Sequence, residues 1–101
     1  MITAEQVQDI LSLYQRHGWT VRRILLTEKL KNHLADFNFK ADIVESEVDA
    51  IWFSRPSGDG KEAWELRRLS ETPYALFEVF EDDDEEEVRE EIRREMEAKL
   101  K

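Results

Sequence analysis

Apolar positions near the start of the chain repeat with helical spacing. Four of them fall at i, i+3, i+4 and i+7: Val7, Ile10, Leu11 and Tyr14. This pattern predicts a helix from about Ala4 to His17 with one apolar face. Thr3 and Gln6 have the spacing of a capping box at its start, and Gly18 is the residue type that commonly ends a helix.

The pattern then changes from helix to strand. Trp19 to Leu26 is expected to be a strand, and its continuous apolar end, Ile24 to Leu26, is typical of burial on both faces. Thr27 offers a cap for a short second helix. The apolar residues of that helix repeat at i, i+4 and i+7: Leu30, Leu34 and Phe37.

Most of the remaining chain shows the pattern of an antiparallel meander. Phe39 to Ser46 is a weaker strand. Three further strands follow, separated by a Gly-containing loop and a Pro-containing turn: Asp49 to Arg55, Glu62 to Leu69, and Tyr74 to Glu81. A charged helix from about Asp84 to Leu100 closes the chain. Its apolar stripe is narrow: Val88, Ile92, Met96 and Leu100.

These elements predict an α+β fold in the order α-β-α-β-β-β-β-α. The sheet is expected to be mainly antiparallel, with four to five strands. The 101 residues are enough for one domain, spanning 1–101. We expect the N- and C-terminal helices to pack on one face of the sheet, in two layers.

The first hairpin of the meander offers a register that can be tested against the structure. Setting Phe53 opposite Trp64 brings three more complementary pairs onto the same face: Ile51 with Leu66, Asp49 with Arg68, and Arg55 with Glu62. A slip of one residue would expose the whole apolar set, so this register is expected to be strongly preferred. The sequence does not decide the register of the second hairpin.

This register leaves a mixed apolar and polar face, which is the candidate interaction surface. Its members are Trp52, Glu65, Arg67, Tyr74, Leu76, Glu78 and Phe80. Two interpretations stay open. The short middle helix, a long loop or the first helix covers this face as ordinary core, or it is an exposed patch that binds a partner or a second copy.

Charge and composition narrow the classes of partner. The net charge is −9, and the segment from Glu81 to Lys101 holds 11 acidic and 5 basic side chains. Such a protein is repelled by nucleic acid and by anionic membrane surfaces, so neither is expected as a partner. Cysteine is absent, and neither a signal peptide nor a membrane-spanning run is evident. These features favour a cytoplasmic location.

No catalytic, metal or cofactor signature emerges from the chain. His17 and His33 are the only histidines and lie on separate predicted helices. The glycine-containing loop between Ser57 and Lys61 lacks the phosphate-binding pattern, and the acidic run from Glu81 to Glu87 lacks the spacing of a calcium loop. The carboxylates at Glu45, Glu47 and Asp49 are more simply explained as solvated side chains. No cofactor is predicted.

The favoured function is therefore a small non-catalytic interaction or regulatory module. It is expected to self-associate or to bind a protein through the mixed sheet face or the charged C-terminal helix. The alternative is a small-molecule-binding protein or enzyme with a pocket between sheet and helices, lined by Trp19, Trp52 or Trp64. A third hypothesis is that the acidic tail mimics nucleic acid and occupies the site of a basic protein.

Overall fold

The computed structural model describes the chain from Met1 to Lys101. It contains three helices and five strands. Their bounds are α1 Ala4–Arg16, β1 Thr20–Leu26, α2 Glu28–His33, β2 Ile43–Glu45, β3 Ala50–Pro56, β4 Glu62–Arg68, β5 Ala75–Phe80 and α3 Glu86–Ala98. No helix is long and apolar enough to cross a membrane.

The five strands form one mixed sheet in the order β2-β1-β3-β4-β5. All neighbours are antiparallel except β1 and β2, which pair in parallel from Ile24 with Ile43 to Leu26 with Glu45. β1 and β2 can pair in parallel because the connection between them contains α2. This connection returns the chain to the end of the sheet at which β1 began, so β2 runs in the same direction. The α+β class and the mainly antiparallel sheet are confirmed.

Both faces of the sheet are buried, each under different helices. On one face Phe53 stacks on Tyr14 of α1, with ring centroids 4.0 Å apart, in a cluster that also includes Leu30 of α2. On the other face Trp52 lies in a cluster with Met96 and Leu100, at the C-terminal end of the chain. The five residues from Ala50 to Ser54 are all buried, and the side chains from Ala50 to Phe53 alternate between the two clusters.

The placement of the terminal helices differs from the expectation that both pack on one face. α1 covers the Phe53 face and α3 covers the Trp52 face. The physical reason is that the central strands are apolar on both faces, and each apolar face must be covered by another element. The C-terminal helix, expected on the other face, is thus the element that covers Trp52.

The β3–β4 register is one residue away from the expected one. Trp52 lies opposite Leu66, Phe53 opposite Glu65, and Ser54 opposite Trp64. Phe53 and Trp64 therefore point to opposite faces. The expectation rested on one buried face, and that argument loses its force when helices cover both faces.

Asp49 has a different partner from the expected Arg68. Its Oδ1 accepts the backbone N–H of Thr27 at 2.7 Å, next to the start of α2. Ala50, not Asp49, lies opposite Arg68 in the sheet. The carboxylate therefore helps to join β3 to the α2 cap.

The predicted helix starts are confirmed at α1 and α2. The Thr3 hydroxyl accepts the N–H of Gln6 at 3.1 Å, and the Gln6 side chain accepts the N–H of Thr3 at 2.9 Å. Thr27 likewise accepts the N–H of Leu30 at 3.2 Å. Gly18 follows α1 with a φ of 83°, in the left-handed region where glycine is favoured. The residue before α3, Glu85, forms no side-chain cap hydrogen bond.

Candidate functional site

The structure divides the expected interaction surface between two faces of the sheet. Trp52, Leu76, Glu78 and Phe80 lie on the α3 side, by their pairing and alternation along β3 to β5. Glu65 lies opposite Phe53, on the α1 side, and Arg67 is on that side as well. These residues do not form one continuous patch.

Two aromatic members of that surface are core residues. Trp52 is 0% exposed and Phe80 is 1% exposed. The Trp52 indole N–H donates to a Glu97 carboxylate oxygen at 2.8 Å, so α3 supplies both apolar cover and a hydrogen-bond acceptor. Neither ring is free to contact a partner.

The remaining members differ in exposure. Tyr74 is exposed just before β5, Leu76 and Glu78 are half-buried, and Glu65 is half-buried beside α1. The Tyr14 hydroxyl donates to Glu65. Burial, the hydrogen bond to this carboxylate and its negative charge together raise the pKa of the Tyr14 phenol above its ordinary range.

The β5 strand presents an open edge of the sheet. Only β4 pairs with it, and the β4–β5 register runs without interruption from Glu62 with Phe80 to Arg67 with Ala75. Just beyond this pair, the N–H of Arg68 donates to the carbonyl of Tyr74 at 2.9 Å. Because hydrogen-bonding direction alternates along an antiparallel strand, the backbone groups of alternate residues point away from β4: Ala75, Phe77 and Val79.

The side chains along this edge are mostly apolar. Phe77 is 56% exposed, a larger fraction than for the other exposed apolar side chains of the sheet, Ile43 and Val44. The strand contains one charge, Glu78, and no lysine, proline or bulge. Lysine, proline and bulges are features that usually protect an edge strand from pairing with another chain, and β5 has none of the three. The opposite edge, β2, is only three residues long.

A second candidate site is a pocket of about 400 Å³ between α3 and the sheet. Its lining is four arginines, two glutamates and one tryptophan: Arg22, Arg23, Arg89, Arg93, Glu62, Glu86 and Trp64. The guanidinium carbons of Arg93 and Arg22 lie 4.5 Å and 5.4 Å from the centre of a Trp64 ring. We call this the arginine pocket.

Arg93 is the buried centre of the arginine pocket. Its side chain is 2% exposed, and its Nη2 donates to Glu90 at 2.8 Å and to Glu86. Burial acts to raise the pKa of the Glu90 carboxyl, but hydrogen bonds and charge from Arg93 and Arg23 outweigh it and hold that pKa below its ordinary value. Two buried nitrogens lack any hydrogen-bond partner: Arg93 Nη1 and Arg89 Nε.

Sequence reasoning missed Arg93 because it assigned the buried stripe of the last helix to apolar residues alone. The residues that face the sheet include Arg93, Met96 and Leu100, whereas Val88 is exposed. Arg89, Arg93, Met96 and Leu100 follow a spacing of i, i+4, i+7 and i+11, which is helical. That spacing could have indicated from the sequence that Arg93 faces the sheet, since the long aliphatic stems of arginines often cover apolar surface.

A third feature is a pocket of about 500 Å³ beside α1, with both apolar and polar side chains in its lining. It lies against the segment from 37 to 41, and its aromatic lining is Trp19, Phe37 and Phe39. Trp19 is thus the one tryptophan of the expected small-molecule site that borders this pocket. Trp52 is fully buried and Trp64 lines the charged pocket.

The histidines lie apart from these sites. His17 follows α1, and its carbonyl accepts a hydrogen bond from Arg55 at 2.8 Å, while His33 is the last residue of α2. No three metal-ligating side chains come together in the chain.

Comparison with known proteins adds no functional assignment. No protein-family model, no curated protein and no solved structure matches this chain. The function is therefore inferred from the molecule's own geometry.

Proposed function

We propose that this protein is a small non-catalytic interaction module that self-associates through the edge of β5. The observation that carries the proposal is an unprotected six-residue edge strand whose outward backbone groups belong to Ala75, Phe77 and Val79. An extended edge of this kind adds readily to a matching strand. A cytoplasmic location belongs to the same proposal.

Pairing with a second copy is favoured because β5 complements itself. In an antiparallel two-fold pair centred on Phe77, each Phe77 lies opposite its counterpart, and Ala75 lies opposite Val79. All three residues have their N–H and C=O groups directed outward, so the pair closes its hydrogen-bonded ladder. Leu76 then lies opposite Glu78, and no like charges meet.

The neighbouring registers are less favourable for a physical reason. Moving the centre to Glu78 sets the two carboxylates opposite each other, which is destabilising. Moving it to Leu76 brings Pro73 opposite Val79, and proline has no N–H to donate. The register centred on Phe77 avoids both problems.

The salt dependence of self-association distinguishes pairing through β5 from association through charged side chains. Two copies of a chain with net charge −9 repel each other at long range. Added salt screens this repulsion, so association through β5 is expected to strengthen as salt rises. Association through ion pairs of the charged α3 would weaken instead.

The test is sedimentation equilibrium of the full chain over a range of protein and salt concentrations. Phe77→Lys places a charge at the centre of the proposed pair, and we expect it to give a monomer with unchanged circular dichroism. The matched control is Val44→Lys, because Val44 is 42% exposed on the opposite edge strand, β2. This control is expected to associate as the unmodified chain does.

Two results would count against the proposal. One is an unmodified chain that stays monomeric at the highest concentration and salt. The other is equal association of the Phe77→Lys and unmodified chains, which would place the contact away from β5.

The alternative of small-molecule binding is supported by the pocket beside Trp19. We favour β5 pairing over it, because the edge strand offers a self-complementary register with a defined partner. The pocket offers a suitable size and a mixed apolar and polar lining, but no feature that defines its ligand.

A further inference from the structure

We infer that the arginine pocket is a binding site for a phosphate group, either free phosphate or a small phosphate monoester. This site is separate from the β5 edge and does not depend on self-association. The pocket combines one buried guanidinium group, that of Arg93, with two buried nitrogen donors that lack partners. It also holds a carboxylate of the chain itself at the place where the phosphate would bind.

The first support is the hydrogen-bonding state of the arginines. Arg93 is almost completely buried, yet its Nη1 has no acceptor, and neither has the buried Nε of Arg89. Buried donors are normally paired, because leaving one unpaired costs the loss of its hydration. Both side chains line the same pocket, so an anion bound there would lie beside both guanidinium groups.

The second support is the local charge. The whole chain carries −9, but the side chains that line this pocket comprise four arginines and two glutamates. Arg22 is exposed at the pocket and forms neither an ion pair nor a side-chain hydrogen bond, unlike Arg23, which lies 3.4 Å from Glu90. An unpaired guanidinium at the mouth of the pocket is suited to meet an incoming anion.

Glu86 acts as an internal occupant of the site. Its carboxylate bonds to Arg93, but its own side chain is 72% exposed, whereas that of Arg93 is 2% exposed. An exposed carboxylate of this kind is held weakly, because solvent screens the pair and holding the side chain costs entropy. It can move aside and open Arg93 to a ligand without disturbing the Glu90 contact.

Phosphate is the anion class that fits this exchange. A phosphate group carries more charge than the single carboxylate that it displaces, and it presents three strong acceptor oxygens. Guanidinium groups bind such oxygens in a planar, forked geometry. A pocket of about 400 Å³ also leaves room for the organic part of a small ester.

The experiment titrates the full-length chain with sodium phosphate and, separately, with phosphoserine, at constant ionic strength maintained with sodium chloride. Binding is followed by the indole N–H resonance of Trp64, because two pocket arginines lie over this ring. A response to both ligands indicates a general phosphate site. A response to phosphoserine alone places part of the affinity in the organic group, and a response to phosphate alone indicates a site for the free ion.

Two variants test the competition with Glu86. Glu86→Gln removes the internal carboxylate, and we expect phosphate to bind about fivefold more tightly. Glu87→Gln makes the same change of charge on the next residue, which has no ion pair, and is expected to leave the affinity close to that of the unmodified chain. Arg22→Gln removes an exposed guanidinium and is expected to weaken binding about tenfold.

The inference is overturned if neither ligand shifts the Trp64 resonance at about 10 mM, a concentration at which even weak specific sites are occupied. It is also overturned if Glu86→Gln and Glu87→Gln bind phosphate equally, because the ion would then respond only to overall charge. Since Arg22, Glu86 and Glu87 are all exposed, their substitutions do not threaten folding.

Discussion

The Tyr14 hydroxyl joins the first helix to the sheet through a single polar contact. The ring stacks on Phe53, and the hydroxyl donates to Glu65 across 51 positions of the chain. Burial and the adjacent carboxylate both disfavour the ionised phenol. The contact therefore depends on Tyr14 staying protonated.

We expect the folded chain to lose stability as the pH rises through the ordinary tyrosine pKa of 10.0. Above that pH the unfolded chain releases the Tyr14 proton, while the folded chain retains it because its pKa is raised. The unfolded state then binds fewer protons, so the free energy of unfolding falls with pH. Below that pH the contribution is fully present.

Urea unfolding from about pH 8 to about pH 11 measures this effect. Tyr14→Phe should lower the free energy of unfolding by about 0.5–1.5 kcal/mol at neutral pH and remove the Tyr14 part of the high-pH loss. Tyr74→Phe is the matched control, because Tyr74 is 45% exposed and forms no side-chain hydrogen bond. If both variants retain the same high-pH loss as the unmodified chain, Tyr14 is not its source.

At the scale of the elements, the three helices differ in how they begin. Thr3 and Thr27 cap α1 and α2 through their side chains, whereas Glu85, at the cap position of α3, forms no such hydrogen bond. Glu85 nevertheless has the extended backbone of a cap residue, with φ −70° and ψ 146°. Its side chain is one methylene longer than that of aspartate, which is among the preferred cap residues.

Glu85→Asp is therefore expected to stabilise the protein by about 0.5–1 kcal/mol, by supplying a cap without changing the charge at the helix start. The measurement is the urea unfolding midpoint. Glu87→Asp makes the identical change inside the first turn of α3, where no cap is gained, and should be neutral or slightly destabilising. An equal effect of both substitutions would contradict the capping explanation.

The molecule as a whole has a sheet covered on both faces at its centre and open at its edges. β3 lies between two neighbours and beneath helices on either face, while β2 and β5 each pair with one strand. The free energy of local opening should be highest for β3 and lower for the edge strands, because buried apolar contacts set this free energy.

Hydrogen exchange measured by NMR tests this order. Amides from Ala50 to Ser54 should exchange most slowly, and those of β2 fastest among the strands. The outward amides of Ala75, Phe77 and Val79 should become more protected as protein concentration rises, because β5 pairing covers them. Concentration-independent exchange at these three amides would argue against the proposed pair, and rapid exchange in β3 would contradict a centre covered on both faces.

Local features of this protein could be predicted from sequence because neighbouring residues create them. The capping box of Thr3 and Gln6, the cap at Thr27 and the left-handed Gly18 all depend on contacts within a few positions. The meander was predictable for a similar reason, since short turns join strands that must then pair in antiparallel order.

The sequence by itself thus determined the starts of α1 and α2, the α+β class and the antiparallel meander of β3, β4 and β5. Only the tertiary structure decided the β3–β4 register, the face that α3 covers, and the burial of Arg93. These three depend on one fact that no local pattern contains, namely that different helices cover the two faces of the sheet. With both faces covered, either register buries the apolar residues, and the observed one places Trp64 beside Trp52 on the α3 face.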